Sequence, residues 1–253
     1  MSRHQITRVR HETRRRMLTV DTVEQLTPKM LRIGFTSPDL SDFVSASADD
    51  HIKLFFSSDD AATEEGRPCM RDFTPRSFDT AAGTLVIDFA LHDAGPATQW
   101  AAAAKVGDTL EIGGPRGSAI IPDDFDWYLL IGDETALPAI GRRVEELRPG
   151  VSVATAIVVA GPDEKQTFQT KADWTALWAI RQEGEDDAAA LRKVLDGYAL
   201  PAGEGHVWIA AEGNIARALR TYVTEQRGHP REWIKAAGYW SQGQADAHER
   251  IED

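Results

Sequence analysis

Two hydrophobic rhythms divide this sequence and predict its fold class, an all-β barrel domain plus an α/β domain. Up to about residue 121, short β-branched and aromatic runs follow one another closely with turn residues between them. That is the pattern of a small antiparallel barrel or sandwich. Beyond Pro122, apolar runs alternate with segments whose apolar residues recur every three or four positions, as strands and helices do around a parallel sheet. A single cysteine, Cys69, excludes an internal disulfide framework, a CxxC pair and a four-cysteine iron–sulfur cluster within one chain.

The elements follow in order. Residues 1–16 hold six arginines against one glutamate and read as a basic, disordered arm. Residues 18–37 make two strands around the Thr27-Pro28 turn signal, and residues 51–56 (HIKLFF) make another. Residues 57–68 have loop composition. Strands at 84–90 and 109–112 are announced by Gly83 and by Gly107-Asp108, and the alanine-rich residues 98–105 form a short helix. In the second half, residues 127–131 are a buried strand leading through Gly132 into a helix. Its apolar face carries Ala136, Ile140, Val144 and Leu147, and Pro149-Gly150 stops it. Strands at 151–160 and 206–211 follow, then a helix with Ile215, Leu219, Tyr222 and Val223 on one face. Residues 182–188 (QEGEDDA) read as a solvated acidic loop. The expected domains are the arm 1–16, a barrel at 17–121 and an α/β domain at 122–253 with a C-terminal helix.

The chain of 253 residues, 42% hydrophobic and 27% charged, has the composition of a soluble globular protein. No apolar run approaches the roughly 20 residues that cross a bilayer, and the N-terminus lacks a secretory apolar core. A cytoplasmic monomer is expected. The net charge of −12 excludes nucleic acid and anionic membranes as favoured partners. It does not exclude a small anionic ligand, which responds to local charge.

Residues 71–76 (RDFTPR) suit a flavin nucleotide. Arg71 and Arg76 can neutralise a pyrophosphate through forked contacts. Phe73 falls against a ring or the core, and Thr74 offers a hydroxyl to a flavin nitrogen. On spacing alone, an exposed strand with surface arginines accounts for the same residues. Further on, Gly95 permits close backbone approach, and Ala97-Thr98 open the short helix, where free N–H groups attract anions. His92 and Trp100 in this stretch read equally as a surface histidine and a core tryptophan.

Taken together, residues 71–76, 92–100, 114–118 (GPRGS), 132–138 (GDETALP) and 238–240 (GYW) resemble the siderophore-interacting protein family. These are FAD-containing ferric-siderophore reductases related to the ferredoxin–NADP reductases. The resemblance runs in order over about residues 15–245. It implies an antiparallel FAD-binding barrel followed by a parallel-sheet reductase domain. It also implies reduction of a ferric siderophore, Fe(III) to Fe(II), with NADH, NADPH or reduced ferredoxin as donor. Arg71, Phe73, Thr74 and Arg76 occupy the flavin motif, with Phe73 replacing the usual tyrosine and losing its hydroxyl. Asp88, Ala90, Leu91 and His92 match the strand that lines the flavin, Ala97 and Thr98 the pyrophosphate pair, and Thr135 the threonine after the first reductase-domain strand. Thr74 is the expected flavin-tuning residue.

Lys53 and Lys235 match positions linked to siderophore binding, and Arg116 joins them as a third cation. Each also reads as an ordinary surface charge, Lys53 as a strand-edge guard. Ser241-Gln242 stand where the family often has a further basic residue, which points to a hydroxamate or mixed ligand. Iron is expected to arrive already chelated, with no protein metal site. There is no GxGxxG. Asp133 and Glu134 oppose a phosphate at their strand end, and residues 210–213 (AAEG) are a second candidate contact for the nicotinamide donor. Two other readings stand: a general flavin reductase with a different acceptor, and a non-enzymatic siderophore-binding protein.

Overall fold

The computed structural model describes residues 3–56, 69–91, 95–241 and 249–251. The chain divides into two compact units, Gln5–Ile121 and a second made of Met1–His4 with Pro122–Asp253.

The first unit contains β1 (Thr7–Arg10), β2 (Arg15–Thr27), β3 (Met30–Thr36), β4 (Ile52–Phe56), β5 (Cys69–Phe73), β6 (Ser77–Asp79) and β7 (Thr84–Ala90). Helix α1 (Pro96–Ala103), β8 (Thr109–Gly113) and β9 (Gly117–Ile120) complete it. Seven strands form one sheet in the order β5-β4-β8-β2-β3-β7-β6, every pairing antiparallel. Alternation sends Ile52, Leu54 and Phe56 inward from β4, and Leu85, Ile87 and Phe89 inward from β7. Each such side chain contributes roughly 1.5–3 kcal/mol relative to exposure. The sheet curls. Strands β5 and β7 are far apart in its order, yet the Phe73 and Phe89 rings lie 4.6 Å apart.

The residues expected to be a disordered arm are built into the structure. Strand β1 pairs with β9 as a two-stranded ribbon, and Arg15 and Arg16 begin β2. Arg16 is buried. Its Nε donates to the Asp39 carbonyl at 2.8 Å, and its Nη2 donates to Asp42 at 2.7 Å. His4, in the other unit, stacks on Phe125 with ring centroids 3.8 Å apart and reaches Asp124 and Glu204 with its two ring nitrogens. Basic composition suggested solvation, but specific acceptors on the folded chain supply the compensation.

The second unit contains β10 (Trp127–Gly132), α2 (Leu137–Glu146), β11 (Ser152–Val159), β12 (Asp173–Ile180), α3 (Asp187–Asp196), β13 (Gly205–Glu212), α4 (Gly213–Thr221), β14 (Ile234–Trp240) and β15 (Glu249–Ile251). Their order is β12-β11-β10-β13-β14-β15, parallel except that β15 runs antiparallel to β14. The central strands β10 and β13 are buried along their whole length, as strands covered on both faces must be. The last described element is strand β15, where a C-terminal helix was expected. The acidic stretch 182–188 also differs from the expected loop, because Asp187 opens α3. Among the described residues no helix is long and apolar enough to cross a membrane.

Candidate functional site

In the barrel unit, alternation along β5 puts Cys69, Arg71 and Phe73 on one face and Asp72 on the other. The Arg71 Nη1 donates to the Cys69 Sγ at 2.9 Å and to the Met70 carbonyl at 2.7 Å. Its other guanidinium nitrogens have no acceptor among the described residues. Phe73 packs against the core through Phe89. Thr74 follows the strand in extended chain. Its side chain is buried, and its hydroxyl makes no hydrogen bond among the described residues. The hydroxyl is not one of the fully buried polar atoms left without a partner, so it keeps access to solvent or to a ligand.

Arg76 and Asp88 are committed to each other. Asp88 accepts a fork from Arg32 across the β3–β7 pairing, at 2.7 and 2.8 Å, and lies 3.7 Å from the Arg76 Nε. Arg76 and Asp88 are both buried. The Asp88 side chain therefore serves as counter-ion to two arginines, and Arg76, expected at the flavin pyrophosphate, is paired with it. Ala90 ends β7 opposite Met30. The Leu91 N–H donates to the Lys29 carbonyl at 2.8 Å, and its side chain packs on the core. His92 lies outside the described residues. Helix α1 begins at Gly95 and Pro96 with no side-chain cap, and Ala97 and Thr98 stand in its first turn, the end of a helix that favours anions. Trp100 belongs to the core, between Phe35, Phe56 and Phe89.

The three expected substrate cations have different surroundings. Lys53 donates its Nζ to Asp72 at 2.9 Å across the β4–β5 pairing. Arg116 is exposed just after Gly114, whose φ of 95° takes a left-handed turn that suits glycine. Lys235 lies half-buried on β14 of the α/β unit, in register with Trp208.

In that unit the end of β10 is tied inward. Asp133 is buried and accepts from the Thr135 N–H at 2.9 Å, the Thr135 hydroxyl at 2.6 Å, the Glu212 N–H at 3.1 Å and the Trp240 Nε1 at 2.9 Å. Burial pushes its carboxyl above the ordinary carboxylate range. Thr135 is thus engaged by the protein itself. Glu134 does not stand as a free negative charge. Arg181, at the end of β12, donates to it at 2.7 and 3.0 Å and also forks onto Asp187. These carboxylates hold the guanidinium firmly in its charged form. At the second candidate contact, residues 210–213, the Glu212 carboxylate accepts the N–H groups of Asn214 and Ile215. The chain's own carboxylate thus caps the α4 N-terminus at this candidate contact for the nicotinamide donor. Among the described residues no group of three or more His, Cys, Asp or Glu could hold a metal ion.

Comparison with known proteins decides what these units are. The siderophore-interacting FAD-binding domain model matches residues 19–66 and 59–119, and the siderophore-interacting protein model matches residues 125–243. The chain is 36% identical to the NADPH-dependent ferric-chelate reductase of Escherichia coli (strain K12), over 92% of this chain and 95% of that one. The chain belongs to the siderophore-interacting protein family. It is also 25% identical to the ferric vibriobactin reductase ViuB of Vibrio cholerae, over 90% of each chain. The structure of a siderophore utilization protein from T. fusca superposes with a TM-score of 0.85 at 32% identity, covering 96% of this chain and 98% of that one.

In this siderophore-interacting protein, residues 71–76 and α1 both fall within the family's FAD-binding domain. Sequence reasoning missed Arg32, Asp72 and Arg181 as partners of the expected residues. A signal existed for Asp72, inside the flavin motif itself. None existed for Arg32, whose partner is 56 residues away, or for Arg181, whose partner is 47 residues away.

Proposed function

We propose that this protein reduces ferric siderophores, Fe(III) to Fe(II), using FAD held by the barrel unit and electrons from NADPH, and so releases iron in the cytoplasm. The observation that supports this is the pairing, within the family's FAD-binding domain, of a Thr74 hydroxyl with no hydrogen bond among the described residues and an Arg71 of which, among those residues, only Nη1 is engaged. When bound, FAD accepts a hydride from the nicotinamide and returns electrons singly to chelated iron. Thr74 donates to or accepts from a flavin ring atom. Arg71 would meet the pyrophosphate with the guanidinium nitrogens that have no acceptor among the described residues, and the first turn of α1 would supply backbone N–H groups. Phe73 forms an apolar wall. Asp88 is the shared counter-ion of the half-buried Arg32 and the buried Arg76. Chelated Fe(III) is the substrate, and Fe(II) leaves because it binds hard oxygen donors more weakly.

The test is anaerobic. The FAD-loaded protein is mixed with NADPH, NADH or reduced ferredoxin, and a ferric siderophore is then added with a ferrous trap present. NADPH is expected to bleach the flavin, and the siderophore to restore it with stoichiometric Fe(II). Equal turnover with quinones and free ferric chelates would favour a general flavin reductase. Failure to take up FAD would favour a non-enzymatic siderophore-binding protein. Size-exclusion chromatography checks that the active species is a monomer.

A further inference from the structure

The barrel unit contains a charge pair that bears on which ferric complexes are accepted. Lys53 is the cation that the functional reading assigns to the siderophore, but it does not present an uncompensated charge. Register sets Lys53 directly opposite Asp72, and Nζ donates to Oδ2 at 2.9 Å. The pair lies on the face of β4 and β5 turned away from the core. The side chains are 28% and 16% exposed, so water reaches both only in part. The second carboxylate oxygen of Asp72, Oδ1, is buried and has no hydrogen-bond partner. A buried, partnerless carboxylate oxygen is costly, and here its negative charge projects beside Lys53.

We infer that Asp72 sets the charge class of the substrate, making this a site for ferric complexes of low net charge rather than for polyanionic ones. This rests on the proposed siderophore-reductase reading. The Lys53–Asp72 pair sums to zero, so an approaching complex meets a dipole rather than a net positive charge. A trianionic tris-catecholate gains no net attraction from such a pair, because what it gains from Lys53 it loses to Asp72. A neutral trihydroxamate is indifferent to that cancellation. Asp72 lies on the opposite face of β5 from Arg71 and Phe73, so its charge acts on the Lys53 side, the side assigned to the siderophore.

The test uses the full-length FAD-loaded protein and redox-inert gallium(III) complexes, a trianionic tris-catecholate and a neutral trihydroxamate. Affinities are measured by tryptophan fluorescence or calorimetry at low and high salt. Asp72→Asn is expected to tighten the tris-catecholate about tenfold at low salt, the Coulomb effect of one charge on a trianion roughly 8 Å away in water. The neutral complex should change by less than about twofold, and high salt should shrink the difference. Lys53→Gln should weaken the tris-catecholate, and the double variant should return near the starting affinity. Because the two single variants act in opposite directions, a general loss of folding does not imitate the pattern. Equal factors for both complexes, or no tightening in Asp72→Asn, would overturn this inference alone. Absence of binding by both complexes to the unaltered protein would overturn the functional reading and this inference with it.

Discussion

Replacing Asp88 by alanine removes the carboxylate that sits between Arg32 and Arg76. Asp88 is 4% exposed and Arg76 7%, so the arginine left behind is not readily solvated. Arg32 is better placed, since 29% of its side chain reaches solvent once its 2.7 and 2.8 Å contacts are lost. Breaking one partner out of a buried ion pair typically costs about 3–5 kcal/mol. Most of that comes from Arg76, and the Arg32 share is nearer the ~1 kcal/mol of an exposed pair. Against a total stability of about 5–15 kcal/mol, Asp88→Ala removes a large part of the barrel's margin. Urea unfolding of the FAD-free protein measures it, with an unchanged m-value certifying that only stability has moved. Asp88→Asn keeps hydrogen bonds while deleting the charge, and should fall between the two. A loss below about 1 kcal/mol in Asp88→Ala would refute the counter-ion role. It would mean that other groups compensate Arg76.

Three further outcomes are expected. Gly141→Ala should destabilise the α/β unit by about 1–2 kcal/mol despite the better helix propensity of alanine, because a Cβ there meets the Phe168 ring at 2.6 Å; thermal unfolding of Gly141→Ala with and without Phe168→Leu checks it, the second change relieving the first. Burial raises the Asp133 carboxyl, so its contribution to stability is fully present below the unfolded carboxylate value of about 3.9 and is lost as pH rises through the raised folded value. The stability of Asp133→Asn relative to the unaltered protein should therefore improve with rising pH across that window, and a pH-independent difference would contradict it. Thr74→Val should leave the FAD-free protein unchanged or more stable by up to about 1 kcal/mol, because it deletes a hydroxyl with no hydrogen bond among the described residues. In the FAD-loaded protein it should alter the flavin spectrum and slow reduction, and loss of FAD-free stability would show that the hydroxyl has a protein partner.

The sequence was readable wherever burial follows a local period. Strand β7 occupies the expected residues 84–90 because Leu85, Ile87 and Phe89 alternate with half-exposed Thr84, Val86 and Ala90 and with the ion-paired, buried Asp88. Helix α2 was marked by Ile140 and Val144, both fully buried on its inner face. Strand β12 was not marked. It runs along the sheet edge with exposed and half-exposed residues mixed along its length, so neither face contrasts with the other. The start of α3 was hidden in an acidic stretch, since Asp187 serves Arg181 rather than solvent.

The flavin segment was recognisable as a motif, but what its charges do was not. By itself, the sequence determined two units, the alternation that builds each, and the identity of Arg71, Phe73 and Thr74. Only the tertiary structure decided that Lys53 faces Asp72, 19 residues on, that Asp88 holds Arg32 and Arg76, and that Glu212 fills its own helix end. The physical reason is range. Hydrophobic periodicity is set between near neighbours and survives in a linear reading, whereas charge compensation depends on strand register and on which distant carboxylate comes within about 3–4 Å of a cation.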